Sequence, residues 1–354
     1  MSPTRTRMAP IVLASVLTLG GCAAGDATTP APGSAQPAAA TAVASPTSAP
    51  SPSEPIGESV EGRAEAILEN IAGEPDWPLE GFGSLWLLAP DSEQPSLLRV
   101  DPTTNEIVAS ILLPGNLCQG FTVSDDAVWV CTPDGAVRVD PATNTIVGEV
   151  TFETGEVFSR LAFGSGSVWA LGVEGGAPTT LIRIEPAAMT ATSIPLGHGA
   201  ATLAYGFDAV WVTAPQDGLV LRVDPASLTV TEHSTGLARP WVIAAGPDSL
   251  WVTLFGAEEM EADEPTVVRI DPADGSKVVE IATGAASANQ GGLWATADAV
   301  WVRAPEVFLT RIDPATNEVA ETIRGPVSAG DVTVAFGSVW ATAGNALTVY
   351  RLTP

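Results

Sequence analysis

Side chains able to do chemistry are scarce in this chain. It has two histidines, His198 and His233, one lysine, Lys277, and three cysteines, Cys22, Cys118 and Cys131. No H-E-x-x-H, G-x-S-x-G or phosphate-binding glycine loop occurs, so the common hydrolase, metalloprotease and nucleotide patterns are missing. No catalytic residue, metal ligand or cofactor is therefore assigned. The run 258–264, EEMEADE, offers carboxylate oxygens of the kind hard cations take. It lacks the ligand order of a calcium-binding loop and reads as a solvated acidic loop. His233 falls in a predicted outer strand and is expected to be solvated. Cys118 and Cys131 flank the turn Ser124-Asp125-Asp126 on neighbouring predicted strands. They read as a disulfide in an oxidising compartment, or as two buried thiols.

The elements that must position these groups are repeats. The marker [Gly/Asp]-[Ser/Ala]-[Val/Leu]-Trp recurs at Trp86, Trp129, Trp169, Trp211, Trp251, Trp301 and Trp340. A second marker, Arg-[Val/Ile]-[Asp/Glu]-Pro, follows six of them, with Asp101, Asp140, Glu185, Asp224, Asp271 and Asp313 before the proline. Arg351-Leu352-Thr353-Pro354 keeps the frame without the acid. A period of about 42 residues holding about four short β-rich runs indicates a propeller. The expected fold is all-β: a seven-bladed β-propeller of four-stranded antiparallel blades, the strands named A to D from the inside outward. The Trp and Arg occur once per unit, so they read as packing devices and not as a site. The last unit stops after its C strand. Glu65–Ala72, EAILENIA, aligns with the D strands and is expected to close the ring, with a short helix as the rival reading.

Specificity should lie where the units differ, in the D-to-A and B-to-C connections at one mouth of the channel. The D-to-A connections hold Arg160, His198, Arg239, Trp241, Asn289 and Asp331, a mix of a few polar groups and an aromatic that suits a pocket. These six are the candidate ligand-binding residues. The two arginines favour an acidic or hydroxylated ligand: a small molecule, a glycan or a protein.

The wording VWV…RIDPATN, in Val128–Asn144, Val210–Ala226 and Val300–Asn317, resembles the YVTN-type and streptogramin-lyase-like bacterial β-propellers. The resemblance covers about 58–354 and rests on structural residues. It implies a seven-bladed propeller. The lyases of that kind use a metal with a histidine–acid group, and no paired-histidine motif is present here to receive it. Three functions follow: a non-catalytic binding module, which is preferred; a metal-assisted lyase; or a structural envelope component.

The formal charge is −26 with 16% charged residues. Phosphate binding needs clustered Lys and Arg, so nucleic acid is not a partner. Docking on anionic lipid is disfavoured for the same reason. Residues 1–21 read as a signal segment: Arg5 and Arg7, then the apolar run Met8–Leu19, too short to span a bilayer. Leu19-Gly20-Gly21-Cys22 resembles a bacterial lipobox, which implies lipidation of Cys22 and an extracytoplasmic protein held to the membrane only through that anchor. Residues 22–58 are rich in Ala, Pro, Ser and Thr, a composition expected to form an extended tether. Residues 59–354 form the propeller, expected to be a monomer.

Overall fold

The structure is a computed structural model. It describes residues 57–354 apart from 91–93, 116–119, 153–155, 158–159, 175–176, 256–265, 285–291 and 305–306. Cys22, Cys118, Asn289 and the acidic run 258–264 lie outside the described residues.

Seven antiparallel sheets follow one another along the chain. Blade 1 is built from Asp76–Gly81, Ser84–Ala89, Ser96–Asp101 and Glu106–Leu112, and its neighbours repeat that order. Blade 7 takes Val332–Ala335, Ser338–Ala343 and Thr348–Leu352 as strands A to C. Its D strand is Ala64–Leu68, which pairs antiparallel with the C strand, Ile67 opposite Tyr350. The strand reading of this segment therefore holds, and the only helix here is the single turn Val60–Arg63 just before it. Glu65 Oε2 lies 3.1 Å from Arg351 Nε, and Val60 and Leu68 are buried, so the segment closes the ring by charge and by apolar contact. A further short strand, Glu58–Ser59, pairs parallel to the D strand of blade 6, so the N-terminal segment covers two neighbouring outer edges.

The repeated residues have a shared structural role. All seven repeat tryptophans are at most 1% exposed, and each faces its blade's repeat arginine across the B–C pair, as in Trp86 opposite Arg99. The Arg99 guanidinium stacks over Trp86 at 5.2 Å. It also reaches the next blade, where Nη1 donates to the Pro141 carbonyl at 2.6 Å and to Asn144 Oδ1 at 3.0 Å. Arg269 makes the same clamp to Pro314 and Asn317, and Arg351 to Pro102 and Asn105. The Asp-Pro-Ala-Thr-Asn turn presents these acceptors because its Asn adopts left-handed backbone, with φ of +60°, +55° and +60° at Asn105, Asn144 and Asn317. Where Met189 or Gly275 replaces that Asn, the clamp is lost: Arg138 pairs with Asp126 at 2.7 Å instead, and Arg222 stacks on Trp211 at 6.0 Å without clamping.

His233 corrects the expectation of a solvated ring. It lies on the D strand of blade 4 (Val230–Ser234), but its ring packs 5.7 Å from Trp211, and a Cβ at Gly275 of blade 5 would strike it. The Gly275 turn leaves room between the blades, and burying the ring there removes apolar surface from water.

Candidate functional site

The A strands converge on the axis, so the residues at their starts share one mouth of the channel. Register fixes their level. The residues opposite the seven repeat tryptophans are Leu79, Thr122, Ala162, Ala204, Ala244, Trp294 and Thr333. Two positions earlier come Gly120, Arg160, Thr202, Gly292 and Asp331, with Trp77 and Val242 in bulged stretches of blades 1 and 5. In blade 1 the bulge brings Asp76 opposite Leu88, to this level as well. Arg160 is the one cation here, and Asp331 is the carboxylate that faces it. They meet: Arg160 Nη2 is 2.5 Å from Asp331 Oδ2, an ion pair that runs from blade 3 across the axis to blade 7. Glycines flank both charges. A Cβ at Gly292 would sit 1.5 Å from Asp331 Oδ1, and one at Gly120 would sit 2.9 Å from Arg160 Cα.

Around the pair is a polar cluster that the sequence reading did not single out. Thr342, on the B strand of blade 7, accepts the Asp331 N–H at 2.7 Å and donates its hydroxyl to Asp76 Oδ1 at 2.7 Å. Asp76, the first residue of blade 1, also accepts the Trp77 N–H on Oδ1 at 2.9 Å. On the B strand of blade 6 lies Arg303, fully buried. Its guanidinium donates to the carbonyls of Thr342 (3.0 Å), Ala304 (2.7 Å), Phe308 (3.1 Å) and Ser328 (2.8 Å), and it stacks 4.1 Å over the Phe308 ring. Arg303 and Thr342 occupy the same place in their repeats, two residues after the repeat tryptophan. The other repeats carry Leu88, Cys131, Leu171, Thr213 and Thr253 there. An arginine in that column was the available signal.

The electrostatics follow from this packing. Burial, then the neighbouring Asp331 charge, push Asp76 up to about 6, against the opposing hydrogen bonds from Thr342 and Trp77 and the charge of Arg160. Asp331 is also raised by burial, with Arg160 first among the groups pulling it back. Arg160 is thus already matched to a carboxylate, and Asp76 is left with hydrogen bonds as its main compensation.

Beside the cluster, the A strands of all seven blades line a cavity of about 270 Å³. Arg160 and Asp331 are its charged lining residues, and Trp77, Phe121, Phe163, Leu203, Tyr205, Ile243 and Trp294 are among the others. The Tyr205 hydroxyl is held by Ser165 Oγ at 2.8 Å.

Of the six candidate residues, the structure brings two together, Arg160 and Asp331. His198 is not at the channel mouth. Its Nδ1 is 2.9 Å from Asp217 Oδ2, and its Nε2 is 3.1 Å from Glu232 Oε1 on the outermost strand of blade 4. These two hydrogen bonds raise its pKa. The physical reason is path length: a D-to-A connection crosses the whole width of a blade, so its early residues lie over the outer strands. Arg239 is exposed with φ +53°, and its carbonyl accepts the Phe255 N–H. Trp241 already belongs to the A strand Pro240–Ala245 and packs on Phe255, ring centroids 4.8 Å apart. Neither lines the cavity. Asn289 lies outside the described residues. Cys131 is disulfide-bonded; Cys118, its expected partner, lies outside the described residues as well. Among the described residues, no three His, Cys, Asp or Glu side chains are grouped so as to hold a metal ion.

No protein-family profile and no curated protein sequence matches this chain. The fold is shared with solved propellers. Streptogramin B lyase is 17% identical with a TM-score of 0.65, covering 81% of this chain and 97% of its own. Kuenenia stuttgartiensis hydrazine synthase is 12% identical with a TM-score of 0.64, covering 81% and 97%. The β-propeller domain of Cps50 (Swd1) from Myceliophteria thermophila is 11% identical with a TM-score of 0.64, covering 82% and 99%. At such identities the likeness establishes the propeller fold and no activity.

Proposed function

We propose that this propeller is a binding module that takes a small ligand into its central channel. The observation that carries the reading is the cavity of about 270 Å³, lined mostly by apolar residues, with the paired Arg160 and Asp331 among them. Few polar groups converging on an apolar concavity are what a small-molecule site requires. The test is unbiased ligand capture with purified residues 57–354, repeated with Ala204→Phe, which fills the cavity from blade 4. A ligand held equally by both proteins binds somewhere else, and the channel reading is then wrong.

The proposal extends to location. Arg5, Arg7, the apolar run Met8–Leu19 and Leu19-Gly20-Gly21-Cys22 support lipidation of Cys22 and an extracytoplasmic module on a tether. The disulfide at Cys131 suits an oxidising compartment. Cys22→Ser should move the protein from the detergent to the aqueous phase; identical partitioning of the two proteins rules the anchor out.

One observation favours a second reading, an enzyme. A carboxyl group held at about 6 can exchange protons near neutral pH, and the likeness to streptogramin B lyase suggests a first substrate to try. Turnover of a streptogramin B by the wild type and not by Asp76→Asn would replace the binding reading with this one.

A further inference from the structure

From the charge balance around the cavity we infer that the ligand is uncharged: a small, mostly apolar molecule whose polar groups are neutral. This rests on the channel reading above and adds the chemical class to it. The first ground is that the charges in the lining cancel. Arg160 and Asp331 are its two charged residues, and they face each other at 2.5 Å. Asp331 is 4% exposed, and its carboxylate is matched by that guanidinium and by the Val332 N–H at 2.7 Å. The balance extends behind the lining. Asp76 feels both the Asp331 and the Arg160 charge, and Arg303 acts on Asp331 while donating to four backbone carbonyls. Two carboxylates and two guanidiniums sum to zero. A charged guest gains a partner in the lining only by displacing one member of the Arg160–Asp331 pair, and that leaves the other member uncompensated inside the fold.

The second ground is the rest of the lining. Apart from Thr122, the other lining residues are apolar or aromatic, and the Tyr205 hydroxyl is engaged by Ser165 Oγ at 2.8 Å. A net charge moved from water into such surroundings loses its hydration without a replacement, whereas an apolar body gains by leaving water. At about 270 Å³ the space is a little below the roughly 300–1,000 Å³ of drug-sized ligand sites, so the molecule is small. The acidic ligand expected from two arginines loses its ground, because Arg160 is paired and Arg239 does not line the cavity. The overall charge of −26 repels anions further. It draws cations to the protein surface at large, but the one carboxylate in the lining is already taken.

The test uses matched probes on the full chain: 2-phenylethanol against 2-phenylethylamine and phenylacetate, and hexanol against hexylamine and hexanoate. Binding is read by protein-observed NMR and calorimetry at pH 7.5 and fixed ionic strength. The expected result is that each alcohol binds at least about tenfold tighter than its amine and its acid, and that Ala204→Phe abolishes this binding. Unbalancing the pair should then change the class. Arg160→Gln leaves Asp331 without its cation and should move the preference to the amines, and Asp331→Asn should move it to the acids. If Asp331→Asn does not fold, Arg160→Gln alone decides. A charged probe that binds the wild type as tightly as its alcohol, and is blocked by Ala204→Phe, overturns the uncharged class and leaves the channel reading standing. A preference for alcohols that persists in Arg160→Gln overturns the assignment to the ion pair. Probes that Ala204→Phe does not affect, or that do not bind at all, overturn the uncharged class and the channel reading together.

Discussion

Replacing Asp76 by Asn should make the protein more stable at neutral pH and change how its stability depends on pH. Asp76 sits at about 6 in the folded protein against 3.8 for an ordinary aspartate. A raised carboxyl binds its proton more tightly in the folded chain than in the unfolded one. Stability is therefore full below the unfolded value, falls as pH rises through the window from about 4 to 6, and stays reduced above it. At about 1.4 kcal/mol per pKa unit, the penalty at pH 7.5 is at most about 3 kcal/mol. Asn cannot ionise, yet it keeps an Oδ1 to accept from Thr342 and Trp77, so the variant escapes the penalty while keeping the hydrogen bonds. Part of the effect belongs to Asp331, whose charge opposes that of Asp76 and which Arg160 and Arg303 draw back down. The turn residues Asp101, Asp140 and Asp224 have lowered values and lose stabilisation as pH falls, but they do so in both proteins and cancel in the comparison. The assay is urea unfolding of wild type and Asp76→Asn at pH 4 and pH 7.5. The variant should gain relative to the wild type between the two pH values, by up to about 3 kcal/mol. Parallel curves, with the same difference at both pH values, would refute the account of Asp76 as a buried, under-compensated carboxylate.

Gly292→Ala should expel the Asp331 carboxylate, because the added Cβ would lie 1.5 Å from Oδ1; loss of more than about 2 kcal/mol in unfolding experiments is expected, and an unchanged midpoint argues against the packing described. Arg99→Ala removes a clamp onto Pro141 and Asn144 as well as the stacking on Trp86, and should cost about 1–3 kcal/mol, clearly more than Arg222→Ala, which has no clamp to lose; equal costs would mean the inter-blade hydrogen bonds contribute little. Removal of residues 57–70 takes away the buried Val60 and Leu68 and opens the outer edge of blade 7, and a fall in Tm of roughly 5–10 °C follows from burial of about 1.5–3 kcal/mol per side chain; a truncated protein melting with the full chain would show that the ring does not need this strand.

Much of the scaffold was legible in the chain because it is written seven times. A tryptophan and an arginine in each unit, with an Asp-Pro or Glu-Pro turn in six of the seven, fix period, strand order and blade number, since every unit must bury the same face against its neighbour. The closing role of Glu65–Ala72 was readable too, from a unit that lacked a fourth strand. What one arginine does beyond its own blade was not readable: the clamp from Arg99 to Asn144 joins residues of different units, and spacing within a unit carries no trace of it. The channel mouth was legible only in part. Arg160 and Asp331 stood out as departures from the repeat, but the sequence holds no measure of distance across a ring, and closure alone brings blade 3 opposite blade 7. His198, Arg239 and Trp241 lie in the same type of connection and look equivalent in sequence, although a connection that spans a blade spreads its residues from rim to axis. Asp76 gained its character from enclosure by Asp331, Thr342 and the start of its own strand, residues far apart in the chain. Its chemistry is set by what surrounds a carboxylate in three dimensions, and desolvation is a property of the folded state alone.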